Sequence, residues 1–421
     1  MRDAGVAVLV LAAVVLWGTF SRRLERADLT GPVVFVVIGL AFNAVGVLRL
    51  GELPELAEPV RLLAELTLVL VLFTDASRIR IAELQEDAGL YARLLLVALP
   101  LAILLGIGLA AVLRLENDIW LLVLIGAALV PTDATLGVPL ITDRAVPSRV
   151  RRALNVEGGF NDGLAAPVVL AALAGASAAA DVTGTTAAGS AVRLLALGLL
   201  AGLAIGGAGG TMVRLGRRRG WIDDEFGGPT VLALALLAYA AAVFVEGSGF
   251  VAAFVGGLAF RNSAGRRAER EATYVEQSGA ALTLVVWLLF GAVMAPITIA
   301  RFDWRVAAYA VLSLTAVRMV AVALALIGVG FRPATVALIG WFGPRGITSV
   351  IFALLAVEEL GPRADSAGAA IGLTVLFSVF AHGISAVPLA KRYGASAAAR
   401  RPAEATRKSE LPVRRASGEH R

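Results

Sequence analysis

An ionisable side chain inside a long apolar run needs a reason, because a charge at the centre of a bilayer costs about 2.5–3.5 kcal/mol even on the most lenient insertion scale. Asp133, Glu157, Asp162, Arg318 and Arg345 all lie well inside such runs, and Asp75 closes another. Four carboxylates against two guanidiniums leave an excess of acid, and that excess calls for a cation. Burial favours the protonated form of a carboxylate and a neighbouring cation favours the ionised form, so H+ and a metal cation would compete for one such group. Oxygen ligands from carboxylates, a threonine and freed backbone carbonyls suit a hard cation. With its charge buried and uncompensated, the empty group would resist changing sides, which makes exchange obligatory.

The surroundings of these residues point the same way. Val130-Pro131-Thr132-Asp133 interrupts one apolar run near its middle, and Phe342-Gly343-Pro344-Arg345-Gly346 interrupts another. Proline removes a backbone donor and leaves a carbonyl without its partner. Two such breaks, one in each half of the chain and each beside a charge, fit discontinuous helices that build an ion site at the membrane midplane. Their freed carbonyls and half-helix ends would act as ligands and fixed partial charges. Between residues 155 and 163, Glu157 and Asn161 are four apart and share a helix face, whereas Asp162 lies about 100° further round. Glu157 is therefore expected to neutralise an arginine of another helix, and Asp162 to face the broken helix that carries Asp133.

These side chains need a membrane scaffold to hold them. Of 421 residues, 58% are hydrophobic and 17% charged; the mean hydropathy of +0.81 is far from a soluble balance. An apolar run of roughly 17–25 residues spans the hydrocarbon layer as a helix. The charged and Gly/Pro-rich breaks divide the chain into about thirteen runs, at 5–20, 32–48, 60–74, 89–113, 119–141, 153–175, 192–213, 229–245, 249–260, 279–299, 306–329, 334–357 and 367–389. The expected fold is all-α: a polytopic membrane domain over 1–389, followed by a disordered basic cytoplasmic tail over 390–421 that holds nine of the 38 basic residues. The first run reads as a retained span, since its charges follow it and no small-residue cleavage site does.

Arginines recur in alternate connections: Arg22, Arg23 and Arg26; Arg78 and Arg80; Arg144, Arg149, Arg151 and Arg152; Arg214, Arg217, Arg218 and Arg219; Arg261, Arg266, Arg267 and Arg270. Basic loops stay cytoplasmic, so the N-terminus is expected outside and the C-terminus inside, in a multi-pass cell-membrane protein. A net charge of +6 comes from these loops and the tail, and implies no nucleic-acid partner. With no cysteine and two histidines there is no disulfide framework or thiolate metal site. Gly202, Gly206 and Gly209-Gly210 read as a helix-packing stripe and not as a phosphate loop, because no Lys-Ser/Thr follows. His382, alone in the last run, reads as a satisfied polar group. A chain without a Walker sequence is not expected to be an ATP-driven pump, nor an enzyme, and no cofactor is implied.

On Pro131-Thr132-Asp133, on Glu157 followed by Asn161-Asp162, on Arg318 and on Gly343-Pro344-Arg345-Gly346, the chain resembles the NhaP-type sodium/proton antiporters of the monovalent cation/proton antiporter family. The resemblance spans nearly all of the membrane part. It implies two inverted repeats with crossed discontinuous helices, a dimerisation bundle beside a mobile core, and a homodimer in lipid. It implies that Asp162 binds cation and proton in alternation, with Asp133 and Thr132 beside it as Na+ ligands and Asp75 and Asn161 completing the site. Glu157 and Arg318 would form the family's buried ion pair, and Arg345 would be the charge of the second broken helix. Gly158 departs from the Ser found in many relatives. Asn161 occupies the position where electrogenic relatives carry an aspartate, which implies electroneutral 1:1 exchange of Na+ for H+. K+/H+ exchange is the alternative, and a cation channel a more distant one.

Overall fold

The structure is a computed structural model that describes residues 2–25, 29–47, 53–133, 146–178, 185–265, 269–300 and 302–395. Among these residues there is no strand. The first half holds α1 (Arg2–Glu25), α2 (Gly31–Ala44), α3 (Leu53–Ser77), α4 (Ala88–Val112), α5 (Ile119–Ala128) and α6 (Ser148–Ala178). A linking helix, α7 (Thr185–Arg218), follows. Then come α8 (Asp224–Phe244), α9 (Gly249–Ala264), α10 (Glu269–Leu289, continuing through a π turn at Phe290–Met294), α11 (Trp304–Ala325), α12 (Pro333–Trp341), α13 (Ile347–Leu360) and α14 (Asp365–Ala395).

Eight described stretches are long and apolar enough to cross a membrane. The remaining expected spans fall on helices that are short, interrupted or charged: α2, α3, α5, α9 and α12. Expected bounds shift at three helices. α3 begins at Leu53 and runs through Pro59, α7 begins at Thr185, and α14 passes residue 389 to reach Ala395. Residues 396–421 of the expected tail, residues 134–145 after the first break, and Arg26, Arg266 and Arg267 lie outside the described residues.

The second half repeats the order of the first. α4 carries a π turn at Leu94–Ala98 and α11 carries one at Ser313–Val317. Each is followed by a helix that stops short, α5 or α12; a 31-residue helix containing one proline comes next in the first half (α6, with Pro167) and after α13 in the second (α14, with Pro388). α4 and α11 pack against each other, and Arg93 of α4 donates to the carbonyls of Ala325 (3.3 Å) and Ile327 (2.5 Å) at the end of α11. A π turn leaves a carbonyl poorly matched within its helix and is frequent at functional sites. Both of these border the broken helices.

The glycine stripe of α7 packs as expected. A Cβ on Gly202 would stand 2.7 Å from the carbonyl oxygen of Ala252, and Gly198 and Gly206 press on the α9 backbone one turn to either side. Without side chains there the two helices approach backbone to backbone. That contact explains how α9, at 16 residues, is buried over most of its length.

At the end of α3 away from the site, Arg61 pairs with Glu65 on its own helix and with Glu358 near the end of α13, both at 2.7 Å. Tyr239 of α8 donates to the second oxygen of Glu65 at 2.9 Å.

Candidate functional site

The two breaks meet. α5 stops at Ala128 because Pro131 cannot continue it and forces the residue before it out of helical geometry. The carbonyls that lose their partners are taken up from the other broken helix: Ser349 Oγ donates to Ala128 O (2.6 Å) and Arg345 Nη1 to Val130 O (3.0 Å). α12 stops at Trp341, before Gly343-Pro344. Its last carbonyls are met by Arg318 Nη2, which donates to Ile339 O (3.4 Å) and Phe342 O (3.1 Å), and by His382 Nε2 on Trp341 O (3.0 Å). A helix C-terminus carries partial negative charge. Each half-helix end is thus met by an arginine from elsewhere in the fold.

Between the ends, the extended segments bond directly, with Asp133 N–H donating to Pro344 O at 2.8 Å. The N-terminus of α13 then points its partial positive charge into the crossing. Its capping residue, Gly346, has no side chain to offer, and Asp133 Oδ2 instead accepts from Ile347 N–H at 3.4 Å. One residue on, the Thr348 hydroxyl donates to Asp162 Oδ2 at 2.6 Å. Asp162 is 4% exposed and Asp133 9%. A side chain at Gly346 would overlap that of Asp133. Gly346→Ala is expected to push Asp133 off the α13 terminus, costing about 1–3 kcal/mol of stability and most of the transport rate. Thermal melting in detergent together with a flux assay checks both.

A cavity of about 570 Å3 reaches these carboxylates. Asp75, Thr74, Thr132, Asp133, Asp162 and Thr348 line its inner part, and Glu25, Arg78 and Glu276 its charged end. Two buried oxygens on its wall, Asp162 Oδ1 and Thr74 Oγ1, have no hydrogen-bond partner.

The structure brings together every residue singled out from the sequence, with some roles redistributed. Glu157 and Arg318 form the expected buried pair, Oε1 to Nη1 at 2.9 Å, and are 3% and 4% exposed. Asp162 faces the broken helix of Asp133, as expected, sharing the cavity wall with Thr132 and Asp133. Its neighbour adds a second tie to that helix, Asn161 Nδ2 donating to Thr132 Oγ1 at 3.3 Å, and α13 supplies the Thr348 hydroxyl that donates to Asp162. Arg345 serves the end of α5, and its own N–H donates to Ser378 Oγ at 2.6 Å. Asp75 lines the cavity and is tied to Arg78 Nη1 at 3.1 Å, whose Nη2 reaches Glu276 of α10 at 2.5 Å. His382 is satisfied, as expected, by Ser378 and Trp341.

Sequence reasoning missed Thr348, Ser349, Ser378, Thr74, Arg78 and Glu276. For the first two a signal was available. They follow Gly343-Pro344-Arg345-Gly346 at the opening turn of the next half-helix, where hydroxyls meet the crossing.

Two crossed, interrupted helices with carboxylates at the positive end of one of them define a secondary ion transporter of the discontinuous-helix kind. The family model described as sodium/hydrogen exchanger, transmembrane, matches residues 9–392, and the chain belongs to that family of cation/proton antiporters. The fold is similar to two structures of the sodium proton antiporter MjNhaP1 from Methanocaldococcus jannaschii. One, at pH 8, is 20% identical, covering 94% of this chain and 100% of that one, with a TM-score of 0.75. The other, from a 3D EM map, is 19% identical, covering 93% and 98%, with a TM-score of 0.71.

Proposed function

We propose that the transported cation is Na+ and that it and H+ take turns on the carboxylate of Asp162. The observation that carries this is the state of that carboxylate: buried at the crossing, one oxygen held by Thr348, the other without a partner, on the wall of the cavity. Asp133 stays at the α13 terminus, where the helix dipole favours its charge, and lends its field and oxygens to the cation. Asn161 holds the Thr132 hydroxyl in line. Asp75, tied to Arg78, stands on the way in. Either loaded form neutralises Asp162 and can change sides, whereas the empty ionised form is held back by the cost of moving a bare charge through a low-dielectric seam. No resident cofactor takes part in this scheme.

The reading includes a homodimer in the cell membrane, with the arginine-bearing loops and the charged end of the cavity facing the cytoplasm. The similar solved protein is called a sodium proton antiporter, which makes Na+ the first ion to test. Proteoliposomes loaded with a pH-sensitive dye should report proton movement on addition of Na+. A response to K+ at lower concentration than to Na+ would reassign the cation.

One proton exchanged for one monovalent cation moves no net charge. A potassium/valinomycin potential of either sign is therefore expected to leave the initial rate within about 20% of its unclamped value, whereas moving one charge would be worth about 2.3 kcal/mol per 100 mV. A steep voltage dependence would overturn the 1:1 reading.

A further inference from the structure

Threonines in apolar helices commonly spend their hydroxyl on the carbonyl one turn back. Thr19, Thr67, Thr211, Thr230, Thr315 and Thr374 all do so here, at 2.6–2.9 Å. Thr74 does not. It sits in α3 seven residues beyond Thr67, on the same helix face, and is 5% exposed. Its Oγ1 has no hydrogen-bond partner, and it lines the cavity beside Asp162 and Asp133. A hydroxyl left unbonded at that depth costs about 1–3 kcal/mol unless something uses it. Thr348 lines the same cavity from α13 and commits its hydroxyl to Asp162 Oδ2.

We propose that Thr74 and Thr348 are ligands of the transported cation, neutral oxygens that α3 and α13 bring to the charge supplied by Asp162. A hydroxyl carries one donor and two lone pairs. In the cation-free carrier Thr348 donates to the ionised carboxylate. When a cation binds at Oδ2, rotation of the hydroxyl hydrogen turns a lone pair to it, and Thr74 supplies a second neutral oxygen with no bond to give up. Being uncharged, the two hydroxyls add affinity and size selection without altering the number of charges exchanged.

This inference rests on Asp162 being the carrier, and the test separates the two. The full chain is reconstituted, and proton release is titrated with Na+ at fixed pH. Thr74→Val and Thr348→Val should each raise half-saturating Na+ about tenfold, with the maximal rate within about twofold of the parent. Thr74→Ser and Thr348→Ser keep the oxygen and should titrate like the parent. Thr67→Val, which removes a back-bonded hydroxyl of the same helix, should titrate like the parent too. In detergent, the rise in melting temperature caused by Na+ should shrink for the Val variants and persist for the Ser variants. Where Val is not tolerated, Ala removes the same oxygen and answers the same question.

Val or Ala variants with the parent's half-saturation would overturn the assignment, as would Ser variants impaired as much as Val. Asp162→Asn is run alongside. If it is inactive while the Val variants behave as the parent, only the hydroxyl ligands are lost, whereas an active Asp162→Asn removes the carrier itself.

Discussion

Asp162→Asn is expected to fold, reach the membrane and move no protons in response to cation, a loss of about a hundredfold or more, since each 1.4 kcal/mol of lost ion binding is a factor of ten. The amide keeps the shape of the carboxylate and can still accept from Thr348, so the bond that joins α6 to α13 survives. What disappears is the charge. An amide cannot bind and release a proton in this range, and it offers a cation one weak oxygen in place of two ionised ones. A buried charge beside Asp133 also ceases to be held out of water, so the variant should melt no lower than the parent. Exchange by a well-folded Asp162→Asn protein would take this residue out of the mechanism.

Loss of either partner in the Glu157–Arg318 pair leaves an uncompensated charge in the core, which costs about 3–5 kcal/mol. The two partners are unequal, because Arg318 also holds the carbonyls of Ile339 and Phe342 at the end of α12. Arg318→Ala should therefore melt lowest. Glu157→Gln, which can still accept from the guanidinium, should fall at the mild end of that range. Replacing both by uncharged residues should recover part of the loss and no more, since the carbonyls of the half-helix stay unbonded. Melting temperatures of the four proteins in detergent decide it, and a parent-like Arg318→Ala would mean that the pair does not hold the broken helix in place.

Much of the site could be read from the sequence because its members break rules that apolar helices obey. A proline and a charge in mid-span mark a break, and a carboxylate four residues from an asparagine in an apolar run marks a face. Tertiary partners were not legible. Nothing local tells which carbonyl Arg345 will serve, because Val130 lies 215 residues away and meets it only once the two breaks cross. The same holds for Thr348 with Asp162. Boundaries slipped where composition misled: Pro59 and three glutamates look like a loop, yet α3 runs straight through that proline.

The Arg61–Glu358 contact lies about 21 Å from Asp75 along α3, at 1.5 Å per residue, and it fastens the face of the protein away from the cavity. Arg61 is half exposed, and ion pairs in that setting are worth about 0–1 kcal/mol. In the alternating scheme proposed above, a latch of that strength would tilt the balance between the two facing states by at most about fivefold. It would bias where the carrier rests between turnovers without locking it there. Because exposed charges are screened over about 8 Å at physiological ionic strength, that tilt would weaken further as salt on that face rises.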